Sequence, residues 1–149
     1  MNMKGKLTFT IIKPGAVANE YIGPILKIIN EKGFHIAAMR MTRLSIKQAQ
    51  EFYVVHKERP FYNSLVEFMS SGPIVVAILE KENAVEEYRK IIGATDPSKA
   101  EEGTIRKLFA ESMQKNAVHG SDSDENAIIE CDFFFNRSER FYKDQDCCW

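Results

Sequence analysis

The run from Ile74 to Leu79 is almost continuously apolar, and Ser70-Ser71-Gly72-Pro73 precedes it. A short apolar run behind a turn signal is too brief for a buried helix and predicts a central strand. A central strand needs partners. Leu7 to Ile12 alternates Thr with Leu, Phe and Ile and stops at Lys13-Pro14-Gly15, predicting a second strand. His35 to Leu44 predicts a third, with Ile36, Ala38 and Met41 among its apolar residues. Ala117-Val118 predicts a brief extended piece ending at His119-Gly120.

Helical spacing fills the intervals. Ile22, Ile25, Leu26 and Ile29 share one face of a helix over Tyr21 to Asn30, which Lys32-Gly33 ends. A helix runs from Ser45 to about Lys57, and Arg59-Pro60 breaks it because a residue before proline avoids the α region. Phe61, Ser64, Leu65 and Phe68 resume helical spacing, and Val85, Tyr88 and Ile92 form the stripe of a helix over Asn83 to Ile92. A polar loop over 93–103 holds Asp96-Pro97 and leads into a short helix from Gly103 to Glu111. Asp122 followed by Glu125 predicts a capping box that opens a helix through about Phe133. The resulting order, β-α-β-α-α-β-α-α-β-α, predicts an α+β, ferredoxin-like sandwich: a four-stranded antiparallel sheet covered by helices.

No repeat or linker interrupts the 149 residues, so residues 1–149 read as a single domain with a polar, aromatic tail over 136–149. A formal net charge of −1 gives no general attraction to nucleic acid or membrane, so any bound anion must meet locally grouped cations. Of the three cysteines, Cys131, Cys147 and Cys148, two are adjacent; this odd set makes no disulfide framework and points to a reducing, cytoplasmic setting. The N-terminal apolar run is too short for a signal or membrane segment.

His119 is the first candidate for chemistry. It ends a strand, Gly120 permits a tight turn, and Ser121-Asp122-Ser123 then opens a helix whose N-terminus favours anions. Neutral imidazole beside such a site is a competent nucleophile. A histidine merely packing at a strand end is the competing reading. Arg89 borders the apolar stripe of its helix, Arg106 sits in the first turn of the next, and Lys13 lies at a strand end. Their convergence would make a phosphate clamp, whereas surface ion pairs are the plainer alternative. Phe61 follows Pro60 at a position suited to stacking on a base or to packing the core. Glu130, near the apolar positions Ala127, Cys131 and Phe134, could orient an imidazole or sit exposed. There is no Walker A loop, no Gly-x-Gly-x-x-Gly and no zinc-like Cys/His spacing.

Asn116-Ala117-Val118-His119-Gly120-Ser121-Asp122-Ser123 resembles the active-site signature of nucleoside diphosphate kinases. Supporting segments follow the family's order: Thr10-Ile11-Ile12-Lys13-Pro14, Phe52-Tyr53 through His56 to Arg59-Pro60-Phe61, Ser71-Gly72-Pro73, Gly93-Ala94-Thr95-Asp96-Pro97 and Gly103-Thr104-Ile105-Arg106. The resemblance covers roughly residues 6 to 135. It implies that His119 is phosphorylated through Nδ1, with Glu130 and Ser121 supporting the imidazole and Tyr53 among the active-site residues. It further implies that Arg89, Thr95 and Arg106 hold phosphates, with His56 a candidate phosphate contact. Lys13 and Asn116 would reach the ribose hydroxyl, and Phe61 would stack on the base with Met113 opposite.

The implied reaction is a ping-pong transfer of the γ-phosphate of a nucleoside triphosphate, typically ATP, to a nucleoside diphosphate. Mg²⁺ would be held mainly by phosphate oxygens and water, with Asp122 at most an outer contact and no protein cage. The resemblance also implies a homo-oligomer, a hexamer ahead of a tetramer. Two departures stand out: Gly15 replaces the Asp common after Lys-Pro, and the tail from Arg137 to Trp149 matches no family pattern. Rival readings are a catalytically weak member acting as an interaction module, and a nucleic-acid binder using the sheet. The near-neutral charge and lack of an aromatic RNP pattern count against the second.

Overall fold

The computed structural model describes residues 3–144. In chain order the elements are β1 (Leu7–Ile12), α1 (Pro14–Ala18), α2 (Ile22–Glu31), β2 (His35–Thr42), α3 (Ile46–Phe52), α4 (Tyr62–Met69), β3 (Ile74–Glu80), α5 (Ala84–Ile92), α6 (Ile105–Phe109), β4 (Val118–Gly120) and α7 (Asp124–Phe134). The strands form one sheet in the order β2-β3-β1-β4, and each neighbouring pair is antiparallel. β3 is thus inserted between β1 and β2, the split arrangement of a ferredoxin-like α+β fold. The expected architecture is observed.

The two central strands, β1 and β3, are buried along their whole length. Ile12, Val75, Ala77 and Leu79 face α2 and α5 through Ile25, Ile29, Ala84, Tyr88 and Ile92. Phe9, Ile11, Val76 and Ile78 face the other way, toward Ala49, Leu65, Met69 and Cys131 of α3, α4 and α7. Each fully buried large side chain contributes about 1.5–3 kcal/mol, which makes these two central strands the rigid base on which β4 is held.

Several local expectations change. β1 stops before Lys13-Pro14-Gly15 as expected, but these residues also start an unexpected helix: Pro14 opens α1, because its fixed φ and missing N–H suit the first helical position. Gly15 lies inside this helix, and a Cβ there would meet only Phe68 at 3.7 Å, an ordinary contact. The helix expected from Ser45 to Lys57 ends at Phe52 and tightens into a 3₁₀ turn over Val54–His56. α7 is capped by Ser123, whose hydroxyl accepts from the Asn126 N–H, and not by an Asp122/Glu125 box. Asp122 instead accepts from the Asn126 side chain at 2.6 Å.

The segment after 136 is docked rather than pendant as far as it is described. A bulge between Ile36 and Ala38 leaves the Ala37 carbonyl to accept from Phe141 N–H at 2.8 Å. The buried Glu80 carboxylate accepts from the Lys143 and Asp144 N–H groups at 2.8 and 3.0 Å. Cys147, Cys148 and Trp149 lie outside the described residues. Among those described, no helix is long and apolar enough to cross a membrane.

Candidate active site

β4 is three residues long and pairs with β1 so that His119 stands opposite Ile11. Its backbone is held by β1 and, through Thr10, tied to α5. Thr10 Oγ1 donates to the His119 carbonyl at 2.8 Å and also meets the Tyr88 hydroxyl at 2.6 Å. Gly120 serves a different purpose from the tight turn expected. It is a strand residue, and a Cβ there would lie 3.0 Å from Ile92 and 3.2 Å from Tyr88, so its absence lets α5 pack under β4.

The imidazole of His119 is 17% exposed and set among aromatic edges, with Phe52 at 5.4 Å, Tyr53 at 6.1 Å and Phe9 at 6.2 Å between ring centres. Nε2 lies 2.9 Å from Glu130 Oε1. An ionised carboxylate only accepts, so Nε2 carries the proton and Nδ1 keeps its lone pair. No protein group among the described residues hydrogen-bonds Nδ1. Ser121 Oγ donates to the same Glu130 oxygen at 2.7 Å, while Phe9 N–H donates to Ser121 Oγ at 3.0 Å. Ser121 therefore acts on the carboxylate, not on the imidazole. The Tyr53 hydroxyl is buried without a hydrogen-bond partner, and burial together with the Glu130 charge holds it in the phenol form.

The cations form a second group. Lys13 is buried and donates to Asn116 Oδ1 at 2.7 Å, while Asn116 Nδ2 donates to the Thr95 carbonyl at 3.3 Å. Ala117 makes this possible: its φ of 74° turns the chain, and its carbonyl accepts from Lys13 N–H at 2.9 Å. Burial, then the positive field of Arg106, lowers the Lys13 ammonium to about 7. Arg106 donates to the carbonyls of Gly93 and Val118 at 3.1 and 3.0 Å, and burial lowers it to about 10. Its Nε is buried with no acceptor.

Arg89 departs from the sequence reading. It is exposed, not tucked beside the apolar stripe, and no ion pair engages it among the described residues. With Lys90, Thr95, Lys99 and Arg106 it lines an open cleft of about 440 Å³. Burial is the main cause of the lowered Arg106, and the positive field of Arg89 adds to it to a smaller degree. Phe61 and Met113 are 46% and 59% exposed, so neither fills the core. His56 is half-buried, its ring 5.5 Å from Phe61 and 6.4 Å from Tyr53.

Lys90 and Lys99 were not singled out in sequence, and Phe52 was noted only as part of a matching segment. Lys90 and Lys99 sit in ordinary polar surroundings, and Phe52 looks like any helical apolar residue. Among the described residues, no cluster of three or more His, Cys, Asp or Glu side chains is arranged to hold a metal ion.

Comparison with known proteins gives a consistent family. The sequence model of the nucleoside diphosphate kinase family matches residues 6–140. The chain is 60% identical over 134 residues to the nucleoside diphosphate kinase of Flavobacterium psychrophilum, covering 90% of this chain and 96% of that protein. It is 58% identical over 133 residues to that of Lawsonia intracellularis, covering 89% and 96%. Among solved structures, the Aquifex aeolicus nucleoside diphosphate kinase superposes with a TM-score of 0.89 at 45% identity, covering 91% of this chain and 98% of that one. The Halobacterium salinarum nucleoside diphosphate kinase, solved in complex with CDP, superposes with a TM-score of 0.89 at 32% identity, covering 95% of each.

Proposed function

The chain belongs to the nucleoside diphosphate kinase family, and from that premise we propose how its own residues move the γ-phosphate of a nucleoside triphosphate to a nucleoside diphosphate. His119 Nδ1 attacks the γ-phosphorus in line, the N–P bond forms as the bond to the leaving diphosphate breaks, and a second diphosphate reverses the step. The observation that carries this reading is the 2.9 Å bond from His119 Nε2 to Glu130, which keeps Nδ1 as the nucleophilic nitrogen. As Nδ1 gives up its lone pair, positive charge develops on the ring, and the Glu130 carboxylate stabilises it. Ser121 positions Glu130 by hydrogen bonding to the same oxygen.

Arg89, Thr95 and Arg106 receive the phosphates, with His56 at the approach. The shared cleft of Arg89, Thr95 and Arg106, which gathers cationic side chains at one surface, supports this assignment. Lys13 and Asn116 take the ribose hydroxyl. Phe61 and Met113 enclose the base, in keeping with their exposure. The Tyr53 hydroxyl, buried without a partner, meets a polar group of the bound substrate or its water. Phosphoryl transfer needs positioning and charge neutralisation more than covalent assistance, and these residues provide both.

Mg²⁺ enters with the nucleotide, and when bound it neutralises charge on the phosphate oxygens. The exposed Asp122 carboxylate is suited to an outer contact through a water. The assembly is a homo-oligomer, a hexamer ahead of a tetramer, which exposed Met39, Met41 and Leu108 support as surfaces to be covered. A reducing cytoplasm suits the buried thiol of Cys131.

Steady-state kinetics test the reaction scheme. Varying ATP at several fixed diphosphate concentrations should give parallel double-reciprocal lines. Isolated enzyme should exchange label between ATP and ADP without a second nucleotide. Intersecting lines with no such exchange would exclude the phosphoenzyme route.

A further inference from the structure

The loop over 111–116 carries Met113 and Asn116 but belongs to no helix or strand. It is closed internally, Glu111 N–H donating to the Lys115 carbonyl at 2.8 Å and Lys115 N–H to Ser112 Oγ at 3.0 Å, and contacts to other elements fix where it sits. Glu111 accepts from Asn19 at 3.1 Å, and the Lys115 ammonium lies 5.8 Å over the Phe68 ring. Gln114 makes the contact that matters for the cleft. Its Nε2 donates to the Ser64 carbonyl at 3.0 Å, and its Oε1 accepts from Ser64 Oγ at 3.0 Å. Its own backbone carbonyl faces the Lys13 ammonium at 3.4 Å.

Ser64 lies one helical turn after Phe61, and its hydroxyl is also 3.0 Å from the Phe61 carbonyl. Gln114 is adjacent to Met113 in sequence. The two exposed apolar side chains, Phe61 and Met113, therefore stand on separate segments that the Ser64–Gln114 pair joins directly. We propose that Gln114 is a positioning residue for the nucleoside: its amide clasps α4 to the 111–116 loop and so sets the gap in which the base is held. This rests on the reading above, in which Phe61 and Met113 receive the base. The paired bonds define both spacing and rotation, since a primary amide donates and accepts in one plane. Gln114 touches no reacting atom, so its loss weakens capture of the nucleoside and leaves chemistry on the bound substrate intact.

The test compares wild type, Gln114→Ala and Ser64→Ala with two donors, ATP and base-free ribose 5-triphosphate. Gln114→Ala loses both bonds and should raise KM for ATP about 3- to 10-fold, with kcat held within about 2-fold. Ser64→Ala keeps the bond to its backbone carbonyl and should give a smaller rise. With ribose 5-triphosphate, which has no base to enclose, the variants and wild type should form phosphoenzyme with equal efficiency. An unchanged KM for ATP in both variants overturns the proposal, as does an equal loss with the base-free donor or a fall in kcat at unchanged KM. If wild type forms no phosphoenzyme from ATP, the functional reading fails first, and the clasp with it. If Gln114→Ala does not fold, Ser64→Ala decides by the same criteria.

Discussion

Glu130 Oε1 receives two hydrogen bonds at once, from His119 Nε2 at 2.9 Å and from Ser121 Oγ at 2.7 Å. The carboxylate is therefore held in place by a residue that is itself anchored to β1, and its charge faces the ring atom opposite the nucleophilic nitrogen. Glu130→Gln keeps the shape and removes the charge. The expected outcome is phosphorylation of His119 slowed about 10- to 100-fold, the difference between a charge-assisted and a neutral hydrogen bond. Rapid-quench measurement of phosphoenzyme formation reads this directly, and an unchanged rate would contradict the role given to the carboxylate.

Lys13 makes the protein respond to pH. Its ammonium falls from the ordinary 10.5 to about 7 through burial and Arg106, so in the free enzyme at pH 8 it is mostly neutral. Polyphosphate charge raises it again, so nucleotide binding at pH 8 takes up a proton and weakens as pH rises further. Calorimetry in buffers of different ionisation enthalpy should detect the uptake, and Lys13→Met should abolish it. The folded value lies below the unfolded one, so between about 7 and 10.5 the unfolded chain holds more protons and stability of the free protein rises with pH. Denaturant titrations at pH 7 and pH 9 should show that rise in wild type and a smaller one in the variant.

Gly93 is required for shape. Its backbone, at φ 87° and ψ −177°, lies in a region essentially reserved for glycine, and an added Cβ would sit 2.6 Å from Thr104 Oγ1. Its carbonyl accepts from Arg106. Gly93→Ala should destabilise the fold by about 2–4 kcal/mol, combining strain and overpacking. Thermal denaturation checks this, and a variant as stable as wild type would show that the loop does not hold this conformation.

Glu80 anchors the end of the described chain. Glu80→Ala leaves the Lys143 and Asp144 N–H groups without their acceptor, so the segment beyond Phe141 should become a site of rapid proteolysis. kcat should stay within about 2-fold, because no residue of the cleft is touched. Limited digestion followed by mass measurement distinguishes this from general unfolding, which would cut throughout the chain.

These features differ in how far sequence could reveal them. β3 was legible because burial on both faces forces an apolar run, β1 through its alternation of Thr with Leu, Phe and Ile, and the helix stripes because one buried face imposes a 3.6-residue period. α1 was not, since Pro14-Gly15 reads equally as a stop or as a helix start until its surroundings are known. Ser123 was displaced by Asp122 as the expected cap because both are good cap residues one position apart. At the site, the string around His119 was visible as a resemblance, but the partner of Ser121 was not: whether its hydroxyl reaches the imidazole or the carboxylate depends on side-chain direction. Gln114 left no signal at all. Its amide meets Ser64, 50 residues away, and nothing local requires either residue.

The most direct measurement locates the transferred phosphoryl group. Enzyme incubated with γ-labelled ATP and Mg²⁺, then digested under alkaline conditions, should yield one labelled peptide containing His119, with the phosphorus on Nδ1 by NMR. Brief exposure to any nucleoside diphosphate before digestion should remove the label. Phosphorus on Nε2, label on another residue, or equal labelling of His119→Ala would contradict the account.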